Sequence, residues 1–334
     1  MNLSKSARAI RFSETGGPEV LKIENVEIPA PGPHEVRVSV KAIGVNRVDS
    51  WFRQGLYFEQ PVFPSKIGFE AAGIIDAIGE EVKDFKVGDK VNVVPAFSNH
   101  DYGTYGELIL VPAYSVQRYP DNINFEQAAS LWTSFLAVYG MLADVAKLQK
   151  GQFVVINAAS SSTGLAAIQL VNALGGISIA LTTSVSKKQA LSDAGAKHVI
   201  VTSEQDLATE VLNVTSGKGA SVILDAVGGS QFEKLIASAA EKANVIVYGA
   251  LNWEPAVWPG MLVLGKMLTV TGYNMADLLM NSEKLSEGIN FINQGVTEGK
   301  LAPVIAKVFS LEEVTNAHSY LESNQQFGKI VLSI

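Results

Sequence analysis

The stretch 153-FVVINAASSSTGLAAIQLVNALGGISIALT-182 decides how this chain folds. Its apolar run 153-FVVIN-157 is bounded by small and polar residues and reads as a buried strand. The segment 164-GLAAIQLVNALG-175 places apolar residues at helical spacing and stops on glycine. The run 177-ISIALT-182 is a second strand. Strand, tight loop, helix and strand make one βαβ unit, the building block of a parallel sheet.

The same alternation continues downstream. Ser186 and Gln189 have the spacing of a capping box for a helix over 187–195. Strand 198–202, helix 206–217, strand 221–227, helix 231–242 and strands 244–250 and 268–273 follow. Six buried strands with intervening helices predict a doubly wound parallel sheet. Upstream, Asn124 with Gln127 caps a long helical stretch over 125–145. The first third is different. Runs such as 36-VRVSVKAIGV-45, 72-AGIIDAIG-79 and 87-VGDKVNVVP-95 follow Pro29, Pro31 and Pro33 and are separated by turn residues. They predict a compact, partly open β-barrel. At the other end, Ser310 and Glu313 cap a helix over 310–324 before a closing strand 328–334. The expected α/β architecture has a barrel domain over 1–125 and 276–334 and a sheet domain over 126–275.

Composition bounds the function. Hydrophobic residues are 47% and charged residues 18% of 334, which suits a well-buried globular protein large enough for two domains. A net charge of −7 argues against a nucleic-acid backbone as partner. No apolar run approaches membrane-spanning length, and 1-MNLSKSARAI-10 has no secretory pattern. There is no cysteine, which excludes a disulfide framework and fits a cytoplasmic enzyme. The four histidines, His34, His100, His198 and His318, share no ligand spacing and read as structural or surface residues.

The loop Ser160-Ser161-Ser162-Thr163-Gly164 opens the helix after the first strand. Backbone N–H groups and the helix dipole at such a point hold a dinucleotide pyrophosphate. Only Gly164 of the usual glycines is present, so the motif alone equally describes a serine-rich helix cap. Its place in the six-strand unit favours the cofactor. Cofactor choice is read after the second strand, at Thr183, Ser184, Lys187 and Lys188. No acid is there to take ribose hydroxyls, and hydroxyls with two lysines suit a 2′-phosphate, so NADPH is expected. Lysines in a solvated first turn are the alternative, although the helix dipole disfavours them there. Gly249 and Ala250, closing strand 244–250, are expected beside the cofactor as well.

The segments 16-GGPEVL-21, 44-GVNRVD-49, 68-GFEAAG-73, 87-VGDKV-91, 104-TYGE-107, the 157–164 loop and 328-GKIV-331 together resemble the medium-chain dehydrogenase/reductase superfamily, in its zinc-free quinone oxidoreductase branch. Zinc members carry a cysteine ligand in the segment matching 44–49, where this chain has Asn46, and a histidine ligand where it has Phe69. They also carry a cysteine-rich lobe with no counterpart here. The resemblance implies a GroES-like domain built from both chain ends, an inserted Rossmann domain, NADPH in a cleft, no metal, and a homodimer. Two departures stand out: Ser161 and Ser162 replace a usual glycine pair, and Ala137 stands where a threonine commonly faces the nicotinamide.

Without zinc, the alkoxide of a simple alcohol has no Lewis acid to hold it. An enolate or a phenolate delocalises its charge and needs only a few hydrogen-bond donors. A quinone or small conjugated carbonyl is therefore the expected substrate. Asn46 is expected near the nicotinamide or the acceptor oxygen, against the alternative of a turn residue after a strand. Asp49 either orients Asn46 or a water, or serves as a cap or salt bridge. Tyr57 matches a tyrosine that lines the cleft in similar reductases, and the resemblance implies that it donates a proton or stacks on a ring, against the alternative of a loop anchor. Glu70, with no ion to serve, is expected to pair with a neighbouring Arg or Lys. The resemblance implies that the region of Trp253 and Trp258 shapes either the acceptor pocket or a dimer edge. Two other functions remain open: an enoyl-thioester reductase, and a redox-silent NADPH-binding protein.

Overall fold

The computed structural model describes residues 4–334. The chain forms two compact units, Met1–Thr133 with Ala302–Ile334, and Ser134–Leu301. In the second, six parallel strands lie in the order His198–Val201, Ile177–Thr182, Phe153–Ile156, Ala220–Asp225, Ala239–Val247 and Thr269–Gly272. This is the expected doubly wound sheet. Its order reverses at Phe153–Ile156, which lies between the second strand in sequence and the fourth. Ligand crevices form at such a reversal, outside the carboxyl ends of the strands. Val154, Val155, Ile156, Ile179, Leu181, Ile223 and Val245 are all buried, so the inner strands are apolar without alternation. The sixth strand is not buried as expected. It is an edge, partly exposed along its length.

Several elements differ from their sequence reading, each for a local reason. The helix predicted over 231–242 is Phe232–Ser238, and the chain from Ala239 is already strand. Ala239 pairs with Ala220, and the Lys266 ammonium donates to the carbonyls of Ala237 and Ala239 at 2.6 and 2.7 Å, ending the helix. The long helical stretch is broken into Phe125–Ala128, Trp132–Tyr139 and a π-helical turn Gly140–Val145. Asn92 donates to the Ala128 carbonyl at 3.0 Å, which diverts the chain at the break. The Ser186–Gln189 box does not form. Ser184 N–H is taken by the Thr182 hydroxyl at 3.1 Å, so a 3₁₀ turn Val185–Lys187 precedes helix Lys188–Asp193. The boxes at Asn124 and Ser310 do form.

The expected domain boundaries at 126 and 276 differ from those of the compact units. The first unit runs on to Thr133 and resumes at Ala302. Helix Ser282–Thr297, absent from the sequence reading, belongs to the second unit. Its Gly288 approaches Tyr139 and Leu136 so closely that a Cβ there would lie 3.0 Å from the tyrosine ring, and Lys284 pairs with Asp144 at 2.7 Å.

In the first unit, the sheet order is Ile305–Ser310, Lys329–Ser333, Glu35–Val45, Glu70–Ile78, Lys90–Val93 and Val116–Gln117, with Leu108–Pro112 also on the long strand Glu35–Val45. This unit, built from both chain ends, has Val36, Val38, Val40, Ile43, Phe52, Ile75 and Leu332 among its core residues. A short helix, Arg47–Arg53, leaves the long strand directly after Asn46.

Candidate active site

Asn46 ends the long strand and caps the helix that follows, its N–H donating to Asp49 Oδ2 at 2.8 Å. Its side chain is almost fully buried and fully used. Nδ2 donates to Gly44 O at 3.1 Å and to Glu70 Oε2 at 3.2 Å, and Oδ1 accepts from the Lys329 ammonium at 2.6 Å. Lys329 also donates to Glu70 Oε2 at 2.7 Å. Glu70 Oε1 in turn accepts the Thr133 N–H at 2.8 Å. Glu70 thus has the basic partner expected of it.

Asp49 lies wholly inside. Its Oδ2 also accepts the Tyr105 hydroxyl at 2.9 Å, and Tyr105 lies 3.3 Å from His318 Nε2. Burial pushes the Asp49 carboxyl up to about 7, against the pull of its two donors and of Lys329. Burial likewise holds the His318 imidazole down at about 3, so it is neutral. His318 is therefore one of the two sequence readings left open for the histidines: structural, not surface.

Phe69 is buried in an aromatic cluster. It stacks on Phe97 with centroids 6.3 Å apart and meets the Tyr57 ring edge-on at 6.3 Å. Phe58, against Tyr57, is 85% exposed, and Leu56, Val62 and Phe63 are exposed on the same loop. The half-buried Tyr57 hydroxyl is pushed up by burial first, then by the Glu59 and Asp49 charges, so it keeps its proton at neutral pH and has a hydrogen to donate.

In the second unit, helix Ser162–Ala173 starts from Ser161, whose hydroxyl accepts the Gly164 N–H at 3.0 Å. The N–H groups of Ser162 and Thr163 lie in the first turn, where a helix offers them no acceptor of its own. A Cβ on Gly164 would lie 2.6 Å from Ala158 O and from Ala159 Cα, so only glycine lets the helix start this close to the strand. Ala158 takes φ +52°, a conformation that glycine adopts more easily. The Lys187 ammonium donates to Ser160 Oγ at 3.2 Å, and burial pushes it down. Thr183 and Lys188 are exposed, and Ser184 Oγ lies 2.8 Å from Ser186 Oγ. Gly249 and Ala250 follow the fifth strand, and a Cβ on Gly249 would lie 2.9 Å from Ala226 O. Ser160, Thr183, Ser184, Lys187, Gly249 and Ala250 thus all follow the carboxyl ends of sheet strands.

Residues 32–121 match the family described as alcohol dehydrogenase GroES-like domain, and 194–332 match that described as zinc-binding dehydrogenase. A quinone oxidoreductase of Pseudomonas aeruginosa is 33% identical over 327 residues, covering 98% of this chain and 99% of the relative. The chain belongs to the quinone oxidoreductase branch of the medium-chain dehydrogenase/reductase superfamily. The Escherichia coli quinone oxidoreductase complexed with NADPH superposes with TM-score 0.89 at 29% identity, covering 98% of this chain and all of that one. The CurK enoyl reductase superposes with TM-score 0.87 at 26% identity, covering 98% and 99%. This branch member is an oxidoreductase, and no helix among its described residues is long and apolar enough to cross a membrane.

The residues of this branch member do not fit zinc. Phe69 has no lone pair to give, the chain has no thiolate, and the Asn46 oxygen is committed to an ammonium. They do fit a dinucleotide phosphate, through the bare Gly164 backbone and the Lys187 cation. Sequence reasoning missed Lys329, Tyr105 and the brace Asp225, whose Oδ1 accepts Asn157 Nδ2 and the Val227 N–H, both at 2.9 Å. A lysine opening the apolar run 328-GKIVLSI-334 and a glutamate opening another at 70 were the available signal.

Proposed function

We propose that this protein is an NADPH-dependent reductase of quinones or α,β-unsaturated carbonyls that works without a metal ion. One observation carries the reading. The segment that supplies a zinc ligand in related enzymes here supplies Phe69, packed between Tyr57 and Phe97. With no Lewis acid in this position, the acceptor must spread its own developing charge.

NADPH, when bound, supplies the hydride. Ser160 to Gly164 would hold its pyrophosphate, Lys187 with Thr183, Ser184 and Lys188 its 2′-phosphate, and Gly249 with Ala250 would leave room for its remainder. Tyr57 would donate a hydrogen bond to the acceptor oxygen. Because its hydroxyl is pushed up by burial, it stabilises the oxyanion better than it transfers a proton. Phe97, half-buried and backed by Phe69, would give a conjugated ring an apolar surface to pack against. Asp49 and Asn46 hold that end of the unit in place rather than reaching the acceptor, because their polar atoms are turned inward. A homodimer is supported by the open edge Thr269–Gly272 beside exposed Trp258, Met261, Leu264 and Met267.

The structural likeness to the CurK enoyl reductase favours one second reading, an enoyl-thioester reductase. A single panel separates them: NADPH consumption with a quinone, an enal and an enoyl-thioester, with and without chelator. The proposal expects chelator-resistant turnover of the first two. Turnover of the thioester alone supports the second reading. Chelator-sensitive turnover restored by zinc, or tight NADPH binding with no turnover, overturns both.

A further inference from the structure

Three neighbouring strands bring one cation and one anion to a single buried point. Ile330 pairs with Val45 in antiparallel register, so Lys329 comes opposite Asn46, while Glu70 pairs with Gly44. The lysine stem passes over bare backbone, since a Cβ on Gly44 would lie 3.0 Å from Lys329 Cε and 2.0 Å from Ala129 O. Gly328, at φ +106°, gives the bend that starts the strand, where a Cβ would lie 2.4 Å from Val304 O. The Lys329 side chain is 1% exposed and that of Glu70 0%.

The ammonium is held at 2.7 Å by Glu70 and 2.6 Å by Asn46. Asn46 stands at the position of one ligand, and Glu70 next to that of another, in zinc-bearing members of the superfamily. The charge arithmetic also favours an ammonium. A divalent ion needs more than one anionic ligand to be neutralised in a dry site, whereas one carboxylate balances one ammonium. The same two charges set the Asn46 amide, with its oxygen toward the cation and its NH₂ toward the carboxylate.

We propose that Lys329 is the resident cation of this site, replacing the metal ion in charge and coordination, and that it is a positioning residue for Asn46 and Glu70. The catalytic part of this rests on the reductase reading above, while the structural part does not. Glu70→Gln, Lys329→Met and the double variant of the full chain test the structural part by thermal melting. Each single change strands a buried charge and is expected to lower Tm by about 5–10 °C, with the double variant closer to wild type than either. Losses that simply add in the double variant overturn the proposal. So does uptake of one equivalent of zinc by the wild-type protein, equilibrated with zinc chloride, that Glu70→Gln abolishes.

Should a single variant not fold, lysine-labelled wild-type protein decides by NMR. One slowly exchanging ammonium signal at neutral pH, lost in Lys329→Arg, is expected, and uniformly fast exchange overturns the proposal. For positioning, the double variant is expected to keep NADPH affinity within about twofold while kcat on a quinone falls at least about tenfold. Unchanged kcat there overturns the positioning role, and an inactive wild type leaves the melting, zinc and NMR results to decide the cation.

Discussion

Replacing Asp49 by asparagine should change how stability depends on pH more than it changes stability at any one pH. The native carboxyl keeps its proton up to about pH 7, while its ordinary value is 3.8. Between those two values the folded state binds a proton that the unfolded state has released, so folding loses stability as pH rises across that window. Taking the two values at face value, the loss between about pH 5 and pH 8 is about 2–3 kcal/mol. Asparagine cannot titrate. It also keeps an oxygen to accept from Asn46 N–H and Tyr105, as Oδ2 does at 2.8 and 2.9 Å. Its NH₂ would replace Oδ1, an oxygen with no hydrogen-bond partner, and the cost of burying that group is the same at every pH.

The difference in Tm between variant and wild type should therefore move in the variant's favour by roughly 4–7 °C from about pH 5 to pH 8, the range reflecting whether the units melt together. His318 acts with the opposite sign. Its folded value of about 3 lies below its ordinary 6.5, so its stability is lost as pH falls through that range. In the wild type the two effects oppose each other between about pH 4 and 6.5, and in Asp49→Asn only the histidine's remains, making the acid limb steeper. Thermal melts of both proteins in matched buffers test this. A Tm difference that stays constant from about pH 5 to pH 8 refutes the account of Asp49 as a buried, protonatable acid.

Gly164→Ala places a methyl 2.6 Å from the Ala158 carbonyl, pushing the helix start from its strand, and should weaken NADPH binding at least about tenfold by fluorescence titration. Lys187→Met should raise the Kd for NADPH about 10- to 100-fold and leave that for NADH unchanged, since only the former carries the 2′-phosphate. An equal loss for both would remove Lys187 from cofactor selection. Tyr57→Phe should lower kcat/KM for a quinone about 10- to 100-fold at constant NADPH affinity, and unchanged kcat/KM would leave Tyr57 a loop anchor.

Backbone periodicity made the fold legible before its interactions. The strand at 153, the helix from 164 and the strand at 177 repay local reading because their apolar spacing is set by a sheet covered on both faces. What escaped were elements ruled by distant partners. The residues after Ser238 have helical composition but pair with Ala220, and the helix Ser282–Thr297 earns its place through Gly288 against Tyr139. The candidate site divides in the same way. Gly164, Asn46 and Tyr57 stand in recognisable segments, whereas Lys329 lies 283 residues from the oxygen it binds. No window on the sequence spans that distance, and only the antiparallel register of the closing strand brings it about.

The proposed conjugated acceptor also suits the residues around Phe69 for an electrostatic reason beyond the loss of a ligand. Glu70 and Lys329 neutralise each other at 2.7 Å, Asp49 is half protonated near neutral pH, and His318 is uncharged. That buried group therefore carries little net charge with which to hold a localised alkoxide. Beside that group the unit has the half-buried hydroxyl of Tyr57 among the rings of Phe58, Phe69 and Phe97. One donor and a flat apolar face suit an oxyanion whose charge is already shared with a ring or an alkene. Hydride addition to an aldehyde or simple ketone would place a full negative charge on one oxygen, while Lys329 is already paired with Glu70 and Arg53 with Glu322.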